Sequence, residues 1–249
     1  MRCRYHMYLG NAANDKAVKK LLDNEALGLS GVVANSAMNR ERVCVGKNSY
    51  ARELSFDPLD FLKSRLETQG RAAWLDLCCG RGRALIEAAE RLAPYSFNSN
   101  LKLLGVDLVA MFDSYSPTLS FIRLQESSVS SWRPNCLFDL ITCVHGLHYV
   151  GDKLGLVQNA ASWLKDDGVF LANLDPDNLK LPNGANVGNK IIRDLRRIGF
   201  EYKARKHLIV CEGRKDFTLN YRYLGADDAA GPNYTGQAAV NSHYDQLEV

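Results

Sequence analysis

Apolar positions recur along this chain in two periods. From Ala73, a short apolar run (AWLDL) reads as a strand, CGRG as a turn, and RALIEAAERLA as a helix whose Leu85, Ile86, Ala89 and Leu92 share one face. LKLLGVDLV predicts a second strand ending near Asp107, LSFIRLQ a third and CLFDLITCV a fourth. DKLGLVQNAASWLKDDG predicts a helix stopped before Gly168, and VFLANLD a fifth strand. A helix over Asn186 to Ile198, ended by Gly199, is followed by HLIVCE and FTLNYRYL, which read as an antiparallel hairpin around EGRKD. Strands separated by crossover helices predict an α/β sheet with helices on both faces.

The flanks are weaker. Asn14 predicts a cap for a short helix through Leu22, with Val18, Leu21 and Leu22 inward, before Gly28 and Gly31 break the pattern. In SFDPLDFLKSRL, Asp57 is placed to cap a helix, Pro58 suits its first position, and Leu59, Leu62 and Leu66 share a face. Residues 1–72 are therefore expected to form an N-terminal helical cap within one globular unit, 73–225 the core, and 226–249, rich in turn formers, a C-terminal loop or lid. There is no internal repeat or heptad segment.

Composition narrows the class. With 249 residues, 46% hydrophobic and 24% charged, the chain can bury a substantial core and is neither disordered nor fibrous. A formal charge of +3 gives no overall argument for a nucleic-acid partner. Seven scattered cysteines and an opening without a long apolar region predict a reduced, cytoplasmic setting, and no apolar run is long enough to predict a membrane span.

Residues 75 to 86, LDLCCGRGRALI, carry the candidate chemistry. A helix that starts directly after a strand points unpaired N–H groups towards the strand's carboxyl end, and Gly80 and Gly82 let backbone approach a ligand. Asp76 reads as a ligand acceptor or as a side chain satisfied by backbone; Arg81 and Arg83 as solvated groups or guides for an anion. Asp107, at the next strand end, can accept from two ribose hydroxyls or simply satisfy its own strand end. The spacing lacks the full GxGxxG dinucleotide pattern.

Residues 73 to 175 resemble the core of the class I S-adenosylmethionine-dependent methyltransferases: LDLCCGRG, then GVDL, FDLITCVHGLHYV, a helix ending in LKDDG, and VFLANL. The resemblance implies a Rossmann-like seven-stranded, mostly parallel sheet with a reversed C-terminal strand, and S-adenosyl-L-methionine as cofactor. It places Asp76, Cys78, Gly80 and Gly82 around the methionine portion, with Cys78 where many relatives carry glycine. Asp107 falls at the ribose position, Leu108 beside adenine, and Ser127 or Ser128 where a hydroxyl could replace the usual adenine-binding aspartate. Val144 and His145, at the fourth strand's end, would face the reacting methyl group.

His148 and Tyr149 follow, and the imidazole of His148 is the favoured candidate for a base, with Tyr149 and Tyr50 as orienting groups; packing roles are the alternative for each. The His145 and His148 pair lacks the companion ligands of a metal motif, so no metal is expected. Asn173 and Asp175 are further candidates for positioning substrate, as are Asn233, Tyr234, Asn241, His243 and Tyr244. The basic run KIIRDLRRIGFEYKARK reads as a solvated helix and edge strand, or as a recruiter of RNA or a small anion. The expected activity is methyl transfer to an oxygen or nitrogen of a small-molecule or peptide-derived acceptor; an RNA methyltransferase and a non-catalytic S-adenosylmethionine-binding regulator are the alternatives.

Overall fold

A computed structural model describes residues 20–34, 41–95 and 100–247. The helices are α1 (Asn24–Gly28), α2 (Gly31–Ala34), α3 (Tyr50–Leu54), α4 (Pro58–Gln69), α5 (Arg83–Leu92), α6 (Lys153–Ser162) and α7 (Gly188–Arg197). The strands are β1 (Arg71–Leu77), β2 (Asn100–Asp107), β3 (Ile122–Glu126), β4 (Phe138–Cys143), β5 (Leu164–Asn173), β6 (Leu179–Lys180), β7 (Phe200–Lys203), β8 (Leu208–Glu212), β9 (Tyr221–Asp227) and β10 (Asn241–Gln246).

Seven strands form one sheet in the order β3-β2-β1-β4-β5-β8-β7. Every pairing from β3 to β5 is parallel, and β8 runs antiparallel to both β5 and β7. This is the Rossmann-like sheet, with its one reversed strand, that the resemblance implied. The central strands are apolar without alternation because both faces are covered. Along β1, Leu75 and Leu77 pack with Leu154 and Val157 of α6 and Ile191 and Leu195 of α7. Trp74 turns to the opposite layer, with Leu62 and Leu66 of α4 and Leu85 and Ala89 of α5. As the sequence predicted, Asp57 caps α4 through Leu59 N and Asp60 N and Pro58 takes the first position; Gly70 ends the helix at φ 66°.

Several expectations are corrected. Helix α6 ends at Ser162, and the polar LKDD already belongs to β5, where Lys165 Nζ reaches the buried Asp139 carboxylate at 2.6 Å and the register slips against β4. Long-range pairing thus overrides a helix-like local pattern. The expected hairpin between HLIVCE and FTLNYRYL does not form: β5 and β7 occupy both edges of β8, leaving no pairing position for 217–224. Strand β9 instead pairs antiparallel with β10, and β10 pairs parallel with β6, in a separate three-stranded sheet. The segment expected as a loop or lid therefore contains a strand. Asn14 and Val18 lie outside the described residues, and Leu22, expected in a helix, bridges backbone to backbone with Ala226.

Candidate active site

The turn after β1 is built on left-handed backbone at three positions: Cys78 (φ 57°), Gly80 (φ 60°) and Gly82 (φ 76°). Cysteine at such a position is strained relative to glycine, the residue that the resemblance implies there. Gly82 starts α5, and a Cβ there would fall 2.5 Å from Leu124 Cδ1. Gly146 is held as tightly from the fourth-strand side, since its Cβ would meet that of Cys78 at 2.5 Å. The exits of β1 and β4 are thereby packed backbone against side chain.

Asp107 ties the second strand end to this turn. Its Oδ2 accepts from Gly80 N at 2.8 Å and its Oδ1 from Val109 N at 3.1 Å. Cys78, Gly80, Asp107, Leu108, Ser128, His145, Gly146 and Tyr149 line one cleft at the carboxyl ends of β1, β2 and β4, with about 800 Å³ of atom-free space continuous with solvent. Its cover comes from α1 and α2: Asn24, Leu27, Gly28 and Val33 complete the wall. Asp23 caps α1, accepting from Glu25 N and Ala26 N.

Other candidates lie behind the cleft. Asp76 is fully buried and accepts from Tyr50 Oη at 2.8 Å and Thr142 Oγ1 at 2.6 Å, while Trp74 Nε1 donates to Thr142 Oγ1. Burial raises its carboxyl to about 7, opposed by the Thr142 and Tyr50 hydrogen bonds. Tyr50 therefore braces Asp76 in the core and is not on the cleft wall. Gly82, Ser127 and Val144 also stand behind the lining; Ser127 N donates to Asp107 O, and Val144 is buried in the α4–α5 layer. Arg81 and Arg83 both grip Asp113, each through Nε at 2.7 Å, and are thus structural clamps rather than guides into the cleft.

The fourth-strand exit separates the two histidines. His145, at φ 56°, lines the cleft, and its N donates to Asn173 Oδ1 at 3.1 Å. Glu53 Oε1 sits 3.0 Å from its Nε2, within ion-pair reach but without hydrogen-bond alignment, and this contact chiefly holds the Glu53 carboxyl below its usual range. His148 is wholly buried off the cleft wall, with Nε2 3.4 Å from His145 Nδ1. Burial, aided by neighbouring His145, Lys153 and His207, drives its imidazole well below the ordinary value, so it is neutral at neutral pH and a poor proton acceptor. Tyr149 does reach the cleft.

The tail supplies a further wall. Tyr234 stacks on His207 at 3.9 Å between ring centroids, and its hydroxyl lies 3.5 Å from His145 Nδ1. Asn173 ties this side together by donating to Lys206 O, and Asp175 caps the short turn at Pro176–Asn178. Asn233, Asn241 and His243 are engaged within the smaller sheet and its loops, and Tyr244 Oη accepts from Leu154 N of α6 at 3.0 Å. Glu53 and His207 had no local signal in the sequence, because what marks them is contact with His145 and Tyr234, far away in the chain.

Among the described residues, no three His, Cys, Asp or Glu side chains gather as a metal-binding group, and no helix is long and apolar enough to cross a membrane. The six described cysteines are free thiols, and burial raises those of Cys44 and Cys79 well above their ordinary range.

Comparison with known proteins adds the family. Searching curated proteins gave no match. Solved structures with partial likeness include YjhP from E. coli (19% identity over 46% of this chain and 46% of that one, TM-score 0.35). Two others are coclaurine N-methyltransferase (16%, 55% and 41%, TM-score 0.39) and an amino pentose methyltransferase from Micromonospora echinaspora (21%, 51% and 51%, TM-score 0.35). The chain spans about half the length of these proteins or less. A family model described as a methyltransferase domain matches residues 48–206, well over half of the chain and all of the strands that form the cleft. The chain belongs to the class I S-adenosylmethionine-dependent methyltransferases.

Proposed function

We propose that the chain transfers a methyl group from S-adenosylmethionine to an oxygen or nitrogen of a small-molecule or peptide-derived acceptor. The observation that carries this reading is the convergence of three strand ends on one cleft: the glycine turn, Asp107 and the His145–Tyr149 exit. The residues fit the donor. Asp107 lines the cleft with a carboxylate of the kind that suits a ribose diol, Leu27, Leu108 and Val129 offer apolar surface for adenine, and Ser128 and Ser130 offer hydroxyls beside them. The donor supplies an electrophilic methyl on a sulfonium sulfur, so that the acceptor's lone pair displaces a neutral thioether in one step.

What the protein contributes is alignment and exclusion of water. The left-handed turn would hold the donor's methionine portion and Asp107 its ribose, with α1 covering the cleft. Tyr149 replaces Tyr50 and His148 as the cleft-facing group able to orient an acceptor. Asn173 holds the His145 backbone while Glu53 and Tyr234 flank its ring, which can take a hydroxyl's proton through a change of hydrogen bonds; an amine acceptor with a free lone pair needs positioning alone.

Incubation with methyl-labelled S-adenosylmethionine and fractionated cell extract, followed by mass spectrometry, tests the assignment. Label in a low-molecular-weight or peptide product is expected. Label confined to RNA overturns the acceptor class, and binding of the donor without any transfer overturns the activity.

A further inference from the structure

A second pocket lies across His145 from the donor cleft. It is lined by Arg42, Lys47, Arg52, Arg205 and Lys206, with Ser49, Glu53 and Tyr234: five cations to one carboxylate. That carboxylate is already engaged, 3.3 Å from Arg42 and 3.0 Å from His145. Among the described residues, no carboxylate lies within ion-pair distance of Lys47, Arg52, Arg205 or Lys206.

These cations are positioned by backbone rather than neutralised. Lys206 Nζ donates to Arg52 O at 2.7 Å and Glu53 O at 3.3 Å, at the carbonyl end of α3, and Arg52 reaches Lys47 O. Arg42 Nε is buried and has no hydrogen-bond partner among the described residues. Like charges brought together raise the free energy of the pocket, and an oxyanion relieves that cost. The pocket stands at the same end of the sheet as the donor cleft, because Arg205 and Lys206 lie between β7 and β8 and α3 packs above them.

We propose that this pocket seats a phosphate or carboxylate group of the methyl acceptor, with the rest of the acceptor reaching past His145 to the donor. The proposal rests on the methyl-transfer reading and makes the acceptor a small anionic molecule. A nucleic-acid strand is a poorer occupant: the cations converge on one pocket walled by Tyr234, whereas a strand needs an extended track.

Inorganic phosphate is the first probe, titrated calorimetrically into the full chain with S-adenosylhomocysteine present. Saturable binding is expected, weakened about tenfold in the Lys47→Gln/Arg205→Gln double variant while S-adenosylhomocysteine affinity is unchanged. Absence of saturable binding, or equal binding to both proteins, overturns the site. This titration decides the pocket even where the donor fails to bind, which would count against the methyl-transfer reading alone. In the labelling experiment, extract metabolites are split by anion exchange. Label in the retained small-molecule fraction, with a raised acceptor KM in the double variant, supports the proposal; label only in the unretained fraction or in RNA overturns it.

Discussion

The donor cleft and the basic pocket adjoin at His145, which lines the cleft and touches Glu53 and Tyr234 of the pocket, yet they are built by opposite means. The cleft is shaped by backbone: three left-handed residues in one turn, two main-chain N–H groups on Asp107, and glycines at which an added Cβ would strike Leu124 or Cys78. The basic pocket is shaped by side chains from α3 and its approach, from the β7–β8 connection and from the Tyr234 loop. Backbone construction preserves the shape that a common donor requires and tolerates few substitutions. Side-chain construction allows the acceptor to change without disturbing the sheet. Substitutions on the two sides should therefore separate donor binding from turnover.

The largest effect is expected at the joint between β1 and β2. Asp107→Ala removes the acceptor of Gly80 N and Val109 N together with the proposed ribose contact, and should lower S-adenosylhomocysteine affinity by about a hundredfold or more in calorimetry. Unchanged affinity would remove Asp107 from the donor site. On the other wall, Glu53→Gln takes away the charge beside His145 and should lower turnover about tenfold with little change in donor affinity. If kcat holds and donor affinity falls instead, the two walls are not separable at His145.

Asp76 underlies both. Its folded carboxyl, raised from 3.8 to about 7, keeps a proton that the unfolded chain gives up earlier. Its contribution is present in full below about pH 4 and is lost as the pH rises to about 7. Chemical denaturation across that window should show wild type losing stability relative to Asp76→Asn; parallel curves for the two proteins would contradict the shift. The smallest effect is at Cys78. Relieving its left-handed backbone with Cys78→Gly should stabilise the fold by about 1 kcal/mol in thermal unfolding, and a loss of stability would mean that the packing of its side chain against Gly146 outweighs the strain.

The same contrast explains what could be read from the chain. LDLCCGRG and GVDL each place their residues within one continuous strand and turn, so the donor wall was legible from spacing and family likeness. Asp76 and Tyr50 were legible as notable residues but not as a buried pair, because their hydrogen bond joins segments 26 residues apart. The basic run was visible, yet only Arg205 and Lys206 of it enter the pocket, and their neighbours Arg42 and Arg52 came from a region without periodicity. The failed hairpin has a related cause. Strand propensity identified HLIVCE and FTLNYRYL, but partner choice depended on β7, a strand of four residues that already held the open edge of β8.

The small sheet also has a consequence in time. A chain made from its N-terminal end contains all seven strands of the large sheet before Tyr221 exists. Val240 N reaches His148 O, and the buried Lys153 ammonium spans Val150 O, Val240 O and Ser242 Oγ. Until those later residues arrive, the exit of β4 lacks its brace and His145 lacks Tyr234. Synthesis thus gives the nascent chain the framework of the proposed donor cleft first and completes the proposed acceptor wall afterwards.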